Sequence, residues 1–184
     1  MMYQWVDRSV RWLMSWRSGA VLQLHLPRML AWVVVWIALS MLSWIAQPAL
    51  AADYNREFLV GADFSDQVLI DDSFTKANLR GANFSGSNLQ GVSFFGANLE
   101  DANLAGANLT NATLDSARFV NTDLSNAVLE GAFAFNTKFN GAEIEGADFT
   151  DVLLRDDMQQ ILCTTAHGTN PTTGRDTRES LGCD

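Results

Sequence analysis

From residue 57 to residue 156 the chain returns to a large apolar side chain at every fifth position. The series runs Leu59, Phe64, Leu69, Phe74, Leu79, Phe84, Leu89, Phe94, Leu99, Leu104, Leu109, Leu114, Phe119, Leu124, Leu129, Ala134, Phe139, Ile144, Phe149 and Leu154. Nineteen of these twenty centres are Leu, Phe or Ile, and the exception is Ala134. Two residues before the centre, Ala stands in twelve of the twenty units. A period of five is neither the 3.6 of an amphipathic helix nor the 2 of a half-buried strand. A repeat at fixed spacing points instead to a solenoid, in which each unit buries its apolar face against its neighbours.

The chain must then turn a corner every five residues. The centre and the Ala two before it point inward, the Ala because the walls crowd a narrow interior. Two residues after the centre, Gly, Asn and Asp dominate, as at Gly61, Gly81, Gly86, Gly91 and Gly106. These residues tolerate tight, left-handed backbone. Units such as Ala77-Asn78-Leu79-Arg80-Gly81 and Ala102-Asn103-Leu104-Ala105-Gly106 closely resemble the pentapeptide-repeat family. The resemblance covers about residues 57–156 and implies an all-β solenoid, a right-handed quadrilateral β-helix with four units per coil. Twenty units give about five coils, a column roughly 24 Å tall at ~4.8 Å between stacked strands. The first coil is expected to be irregular and to form an open or self-capped end. Glu57, Gln67 and Asp72 occupy inward positions there, where an unpaired polar group is costly.

The composition is split along the chain. All six Trp precede residue 50, and all eleven Phe follow residue 57. Residues 1–28 carry Arg8, Arg11, Arg17 and Arg28 against one acid, Asp7, and Met29–Ala52 holds no charge. An apolar run over Met29–Ala46, then Pro48 and Ala49-Leu50-Ala51, completes the pattern of a secretory signal peptide cleaved after Ala51. The rival reading is a retained anchor, since some 18 apolar residues can span a bilayer. Either way the arginines stay inside, and residues 53–184 lie across a membrane from the cytoplasm. The expected organisation is a signal peptide at 1–51, a β-helix at 52–156 and a C-terminal cap at 157–184. Without residues 1–51 the chain keeps 8 basic and 20 acidic residues, a net charge of −12 on 133 residues. Such a surface stays soluble and repels anionic partners.

Beyond Leu154 the period stops. Asp156–Leu162 reads as a short helix with acids at its N-terminus. Asp176–Gly182 reads as a second, with Asp176 as N-cap, Glu179 completing a capping box and Gly182 as the stop. Together they form an end piece, which a solenoid needs to cover its last coil. Cys163 and Cys183 flank this segment and are the only cysteines. Exported cysteines pair, so a disulfide stapling the cap is expected, with two free thiols as the other reading. The stretch from Cys163 to Cys183 also resembles the tail of thylakoid-lumen pentapeptide-repeat proteins. That resemblance makes the thylakoid lumen the first expected address and the periplasm the second.

Chemistry-bearing patterns are sparse. After residue 51 the single histidine, His167, lies in a loop and reads as solvated. The glycines recur because corners do, not as a phosphate-binding loop. No catalytic residue, metal site or cofactor is expected, and the chain reads as a non-enzyme. Residues twenty apart share a wall of the column. One wall carries Asp63, Asp66, Asp123, Glu143 and Glu145 with no Lys or Arg, a candidate acidic face. The next carries Asp71, Glu130, Asp148 and Asp151, whereas Arg80, Arg118 and Lys138 share a different wall. Asn78, Asn83, Asn88, Asn98, Asn103 and Asn108 precede their centres by one and suggest amide ladders between coils.

At Ala134 the repeat breaks at its strongest position. Phe133 and Phe135 flank it, with Phe95 on the same wall, and all three point outward by the period. They are the one apolar cluster the repeat does not require, and so form a candidate docking patch. Otherwise a local slip swings Phe133 or Phe135 inward, or the C-terminal segment folds over them. The function expected is a non-catalytic, exported scaffold for protein partners, not for nucleic acid. Membrane contact is expected only through an uncleaved N-terminal segment. The alternative is an acidic DNA mimic that binds a nucleic-acid enzyme such as gyrase, as some members of the family do.

Overall fold

The structure is a computed structural model, and it describes residues 51–183. The signal-peptide segment expected before Ala51 lies outside the described residues. The chain winds into a four-sided column with twenty residues per coil. Parallel bridges join one residue in each five-residue unit to the one twenty later, from Asp53–Ser73 to Phe133–Leu153. Each bridge is held from both sides: Leu79 N–H donates to Asn98 O at 2.8 Å, and Asn98 N–H to Ala77 O at 2.9 Å. Between bridges the chain turns through a four-residue corner, as where Ala82 N–H donates to Leu79 O at 3.0 Å. The third corner residue takes a positive φ, the signature of a type II turn. Nineteen of the twenty corners from Arg56 to Asp151 do so. The exception is Asn136, in the unit centred on Ala134.

The centres fall on four walls. The first holds Tyr54, Phe74, Phe94, Leu114, Ala134 and Leu154, and the second Leu59, Leu79, Leu99, Phe119 and Phe139. The third holds Phe64, Phe84, Leu104, Leu124 and Ile144, and the fourth Leu69, Leu89, Leu109, Leu129 and Phe149. Their side chains fill the axis. Tyr54, Phe74 and Phe94 stack up the first wall at 4.7 and 5.3 Å. Phe64 and Phe84 stack on the third at 4.9 Å, edge-on to them. Where Ser87, Thr122 and Thr137 replace the inward Ala, each hydroxyl donates to a carbonyl, those of Phe84, Leu99 and Leu114. Their burial therefore leaves no polar group unpaired.

The column begins one unit before Leu59. Tyr54 is a centre, with its N–H on Ser73 O at 2.7 Å and its ring on Phe74. The first coil is also regular, against the irregular coil expected. Its bridges at Asp53, Phe58, Asp63 and Val68 match those above. It tolerates polar inward residues because it is an end. Glu57 and Gln67 are exposed, and Asp72 is buried with its Oδ1 accepting from Ala52 N at 2.6 Å.

At the other end helix α1 (Asp156–Cys163) adds Leu162 to the core, and Leu181, the C-cap of helix α2 (Thr177–Ser180), adds its side chain beside it. Asp176 caps α2, accepting from the amides of Arg178 and Glu179. Cys163 and Cys183 form a disulfide. The loop between the helices and α2 take up hydrogen bonds of the last coil: Gly146 N–H donates to His167 O of the loop at 2.9 Å, and Phe149 N–H to Ser180 Oγ of α2 at 3.0 Å. Buried Asn170 pins the loop, its amide donating to the carbonyls of Asn126, Ala127 and Gly146. Gly168 must be glycine here, because a Cβ would stand 2.9 Å from Gly146 N.

Candidate functional site

The outward positions of the first wall divide it in two. In its lower coils Asn55, Ser73, Thr75 and Ser93 form a chain of side-chain hydrogen bonds. In its upper coils the same positions hold Phe133, Phe135 and Leu153, exposed by 53%, 49% and 54%. Phe133 bridges directly to Leu153 in the coil above. Phe135 lines a groove of about 550 Å³ between the column and α1, with Lys138, Arg155, Met158 and Ile161. Phe95, 39% exposed, stands two coils below Phe135. Asp115 lies between them, and its Oδ1 accepts from the backbone and side-chain nitrogens of Asn136. The wall thus joins Phe133, Phe135 and Leu153 and leaves Phe95 apart.

Neither the slip nor the cover is present. Ala134 stays buried with its N–H on Leu153 O at 3.1 Å, while Phe133 N–H keeps its bond to Ala112 O at 2.9 Å. Turning either Phe inward needs a one-residue shift, which would carry every neighbouring side chain to the wrong side. The cap loop sits elsewhere, pinned by Asn170 at the corner shared by the third and fourth walls. The patch is also not the one apolar cluster outside the repeat's needs. Phe58 and Val60 on the second wall, and Val68 and Ile70 on the fourth, are exposed in the first coil, Phe58 by 84%.

The carboxylates of the third wall are discontinuous along the column. Asp63 and Asp66 lie in the first coil, and Asp123, Glu143 and Glu145 in the upper two, with Asn83 and Asn103 bridged between. About 14 Å separates the groups at ~4.8 Å per coil, beyond the ~8 Å reach of exposed charges at physiological salt. The Ser65 hydroxyl and amide hold the Asp63 carboxyl below its ordinary range. Glu145 meets His167 of the cap at 3.6 Å. On the fourth wall Arg175 reaches Glu130 at 3.0 Å and Asp148 at 3.1 Å. Burial alone would raise the Asp148 carboxyl, but hydrogen bonds from the Thr150 hydroxyl and amide, with Thr173 and Arg175, hold it below its ordinary range. Five carboxylates over about 24 Å fall well short of duplex DNA, which carries one charge per ~1.7 Å and so about 14 over that length.

The outward asparagines act chiefly within their own coils. Asn83, Asn88, Asn103 and Asn108 accept from the amide two residues on. That bond fixes the entry to the corner. Among these asparagines one amide contact links coils as a ladder would, from Asn83 Nδ2 to Asp63 Oδ1 at 3.1 Å, and at a corner Asn121 Nδ2 reaches Asp101 Oδ1 at 3.4 Å.

The family model for pentapeptide repeats matches residues 59–96, 93–131 and 117–156. A crystal structure of a pentapeptide repeat protein from the Arabidopsis thaliana thylakoid lumen is 48% identical, with a TM-score of 0.70 over 71% of this chain and 91% of that one. The chloroplastic thylakoid lumenal 15 kDa protein 1 of Arabidopsis thaliana is 60% identical over 38 residues, 21% of this chain and 17% of its own. Thylakoid lumenal protein TL20.3 of the same plant is 58% identical over 38 residues, 21% of this chain and 14% of its own. The match therefore spans less than a fifth of either of these two relatives.

Proposed function

Because the chain belongs to the pentapeptide-repeat family, with its right-handed quadrilateral β-helix, we propose that it serves in the thylakoid lumen as a non-catalytic docking column for a protein partner. The lumenal address is supported by the 48% identity to a lumenal pentapeptide repeat protein. The leader-like residues 1–51 and the paired cysteines fit the same address. The observation that carries the docking role is the exposure of Phe133, Phe135 and Leu153 on one wall of a regularly bonded column. Exposed aromatic clusters are the usual core of a protein interface. A column held by backbone bonds at every bridge orders few groups on binding, which lowers the cost of association. The acidic wall is the weaker surface, because its charges are split and the cap engages Glu145.

A photocrosslinking side chain placed at Phe133 or Phe135, in the protein within isolated thylakoids, tests this. One discrete adduct is expected there and none from Asn103 on the third wall. The double variant Phe133→Ser, Phe135→Ser should abolish the adduct while changing stability by about 0.5 kcal/mol or less, as exposed substitutions do. Equal labelling from both walls, or a loss of several kcal/mol, overturns the docking role.

A further inference from the structure

Asp72 is the one acid at an inward position that is buried, 6% exposed, two residues before Phe74 where Ala is the rule. The hydrogen bond its carboxylate makes is to the backbone nitrogen of Ala52, twenty residues earlier, at 2.6 Å. Val92 lies one coil above it in the same inward row and is fully buried. In the unprocessed chain that nitrogen belongs to a neutral peptide group, so among the described residues the buried carboxylate has one neutral donor and no ion-pair partner. Such a site is poor, because a buried charge needs an opposite charge with hydrogen bonds.

The sequence supplies that charge at the same atom. Ala49-Leu50-Ala51 is a leader-peptidase site whose cut leaves Ala52 first. We infer that Asp72 is the built-in receptor for the α-ammonium group that leader cleavage creates at Ala52, so that processing completes the first coil. In the step, a leader peptidase adds water across the Ala51–Ala52 bond. The C–N bond breaks, Ala51 takes the water oxygen and leaves as a carboxylate, and Ala52 nitrogen, which already carries one hydrogen, takes both water protons to become –NH3+. Ala51, which precedes the bond, is exposed. The neutral bond to Asp72 Oδ1 becomes a charge-assisted one, the stronger class. The pairing also depends on the register of the cut: one residue later removes Ala52, and an earlier cut leaves its nitrogen a neutral peptide group. Asp53 and Asp71, the chain neighbours of the pair, are exposed carboxylates, and the Asp53 Oδ1 is turned to the amide of Asn55.

This inference rests on the reading of residues 1–51 as an export leader, and it is independent of the docking patch. The full chain is expressed in a host that exports and processes it, and the recovered protein is weighed and titrated. The expected mass is that of residues 52–184. Its α-amine should titrate about one unit above the ordinary ~7.7–8.0 and acylate at pH 7 about tenfold more slowly than in the processed Asp72→Asn variant. Should that variant fail to fold, the titration of the unsubstituted protein decides alone. A chain that retains residues 1–51 overturns the leader and this inference together. A chain that starts at Ala52 with an ordinary amine overturns this inference and leaves the leader standing.

Discussion

The two ends of the column solve one problem with different chemistry. Each end coil has backbone groups on one edge that no further coil can pair, the hazard common to exposed β edges. At the C-terminal end seventeen residues of non-repeat loop and helix after Leu162, from Cys163 to Glu179, bring Asn170, His167 O and Arg175 onto the last coil. At the N-terminal end the solution is confined to side chains. Tyr54 covers the aromatic stack, Asp72 receives Ala52, and Glu57 and Gln67 face solvent. The outward positions of that coil carry Phe58, Val60, Val68 and Ile70, all exposed. A repeat specifies its interior by repetition, whereas each end must be specified once, by residues that break the pattern.

The contrast can be broken most strongly at the disulfide. Replacing Cys163 and Cys183 by Ser opens a loop of 20 residues, worth about 3 kcal/mol. The loss should be local. Hydrogen exchange should quicken over residues 156–183 while the bridges from Asp53 to Asp148 stay protected, and melting of the whole column would show that the cap nucleates it. The next effect is at Asn170→Ala, which removes the side-chain donor of the Asn126 and Gly146 carbonyls, while the Ala127 carbonyl keeps the Asp148 amide. The cost should be roughly 1–3 kcal/mol, read as a lower unfolding midpoint with the cap exchanging first.

A smaller effect comes from acid. The Asp148 carboxyl sits below its ordinary 3.8 in the folded chain. A depressed carboxyl stabilises fully above its unfolded value, and that contribution is lost as pH falls through the folded one. The cap loop should therefore remain docked at pH 5 and loosen only below about pH 4, with Asp148→Asn abolishing the acid step. The smallest effect belongs to the other end. Phe58→Ser should change stability by about 0.5 kcal/mol or less, because Phe58 is 84% exposed. A larger loss would mean that the N-terminal coil is packed in solution.

Much of the column was legible because its physics is local and repeated. The inward row restates Ala in twelve of twenty units and the centre row restates Leu, Phe or Ile in nineteen. The unit at Tyr54 escaped because Tyr is not Leu, Phe or Ile, and because its corner residue is Arg56, which adopts φ 62 without being Gly, Asn or Asp. The exposed side chains of the first coil escaped for a related reason. Phe58 and Val68 precede their centres by one, where the coils above hold Asn78 and Asn88, so the difference shows only when the coils are compared wall by wall. The asparagines stand one before their centres, as the repeat implies, but bond chiefly within their own coils. Twenty-residue stacking suggests ladders, whereas the amide two residues on is the nearer donor.

The sequence by itself determined the period, the inward and outward rows and the cysteines available to pair, because each follows from residue type at fixed spacing. Tertiary structure decided the fate of Phe133 and Phe135, because the backbone hydrogen bonds to Ala112 and Leu153 hold the register against filling the gap at Ala134. It decided that Arg175 neutralises part of the fourth wall and that Asn170 grips two coils at once. It also brought Asp72 to the nitrogen of Ala52. These contacts join residues 20 to 45 positions apart, and their partners become neighbours only when the coils stack and the cap folds back.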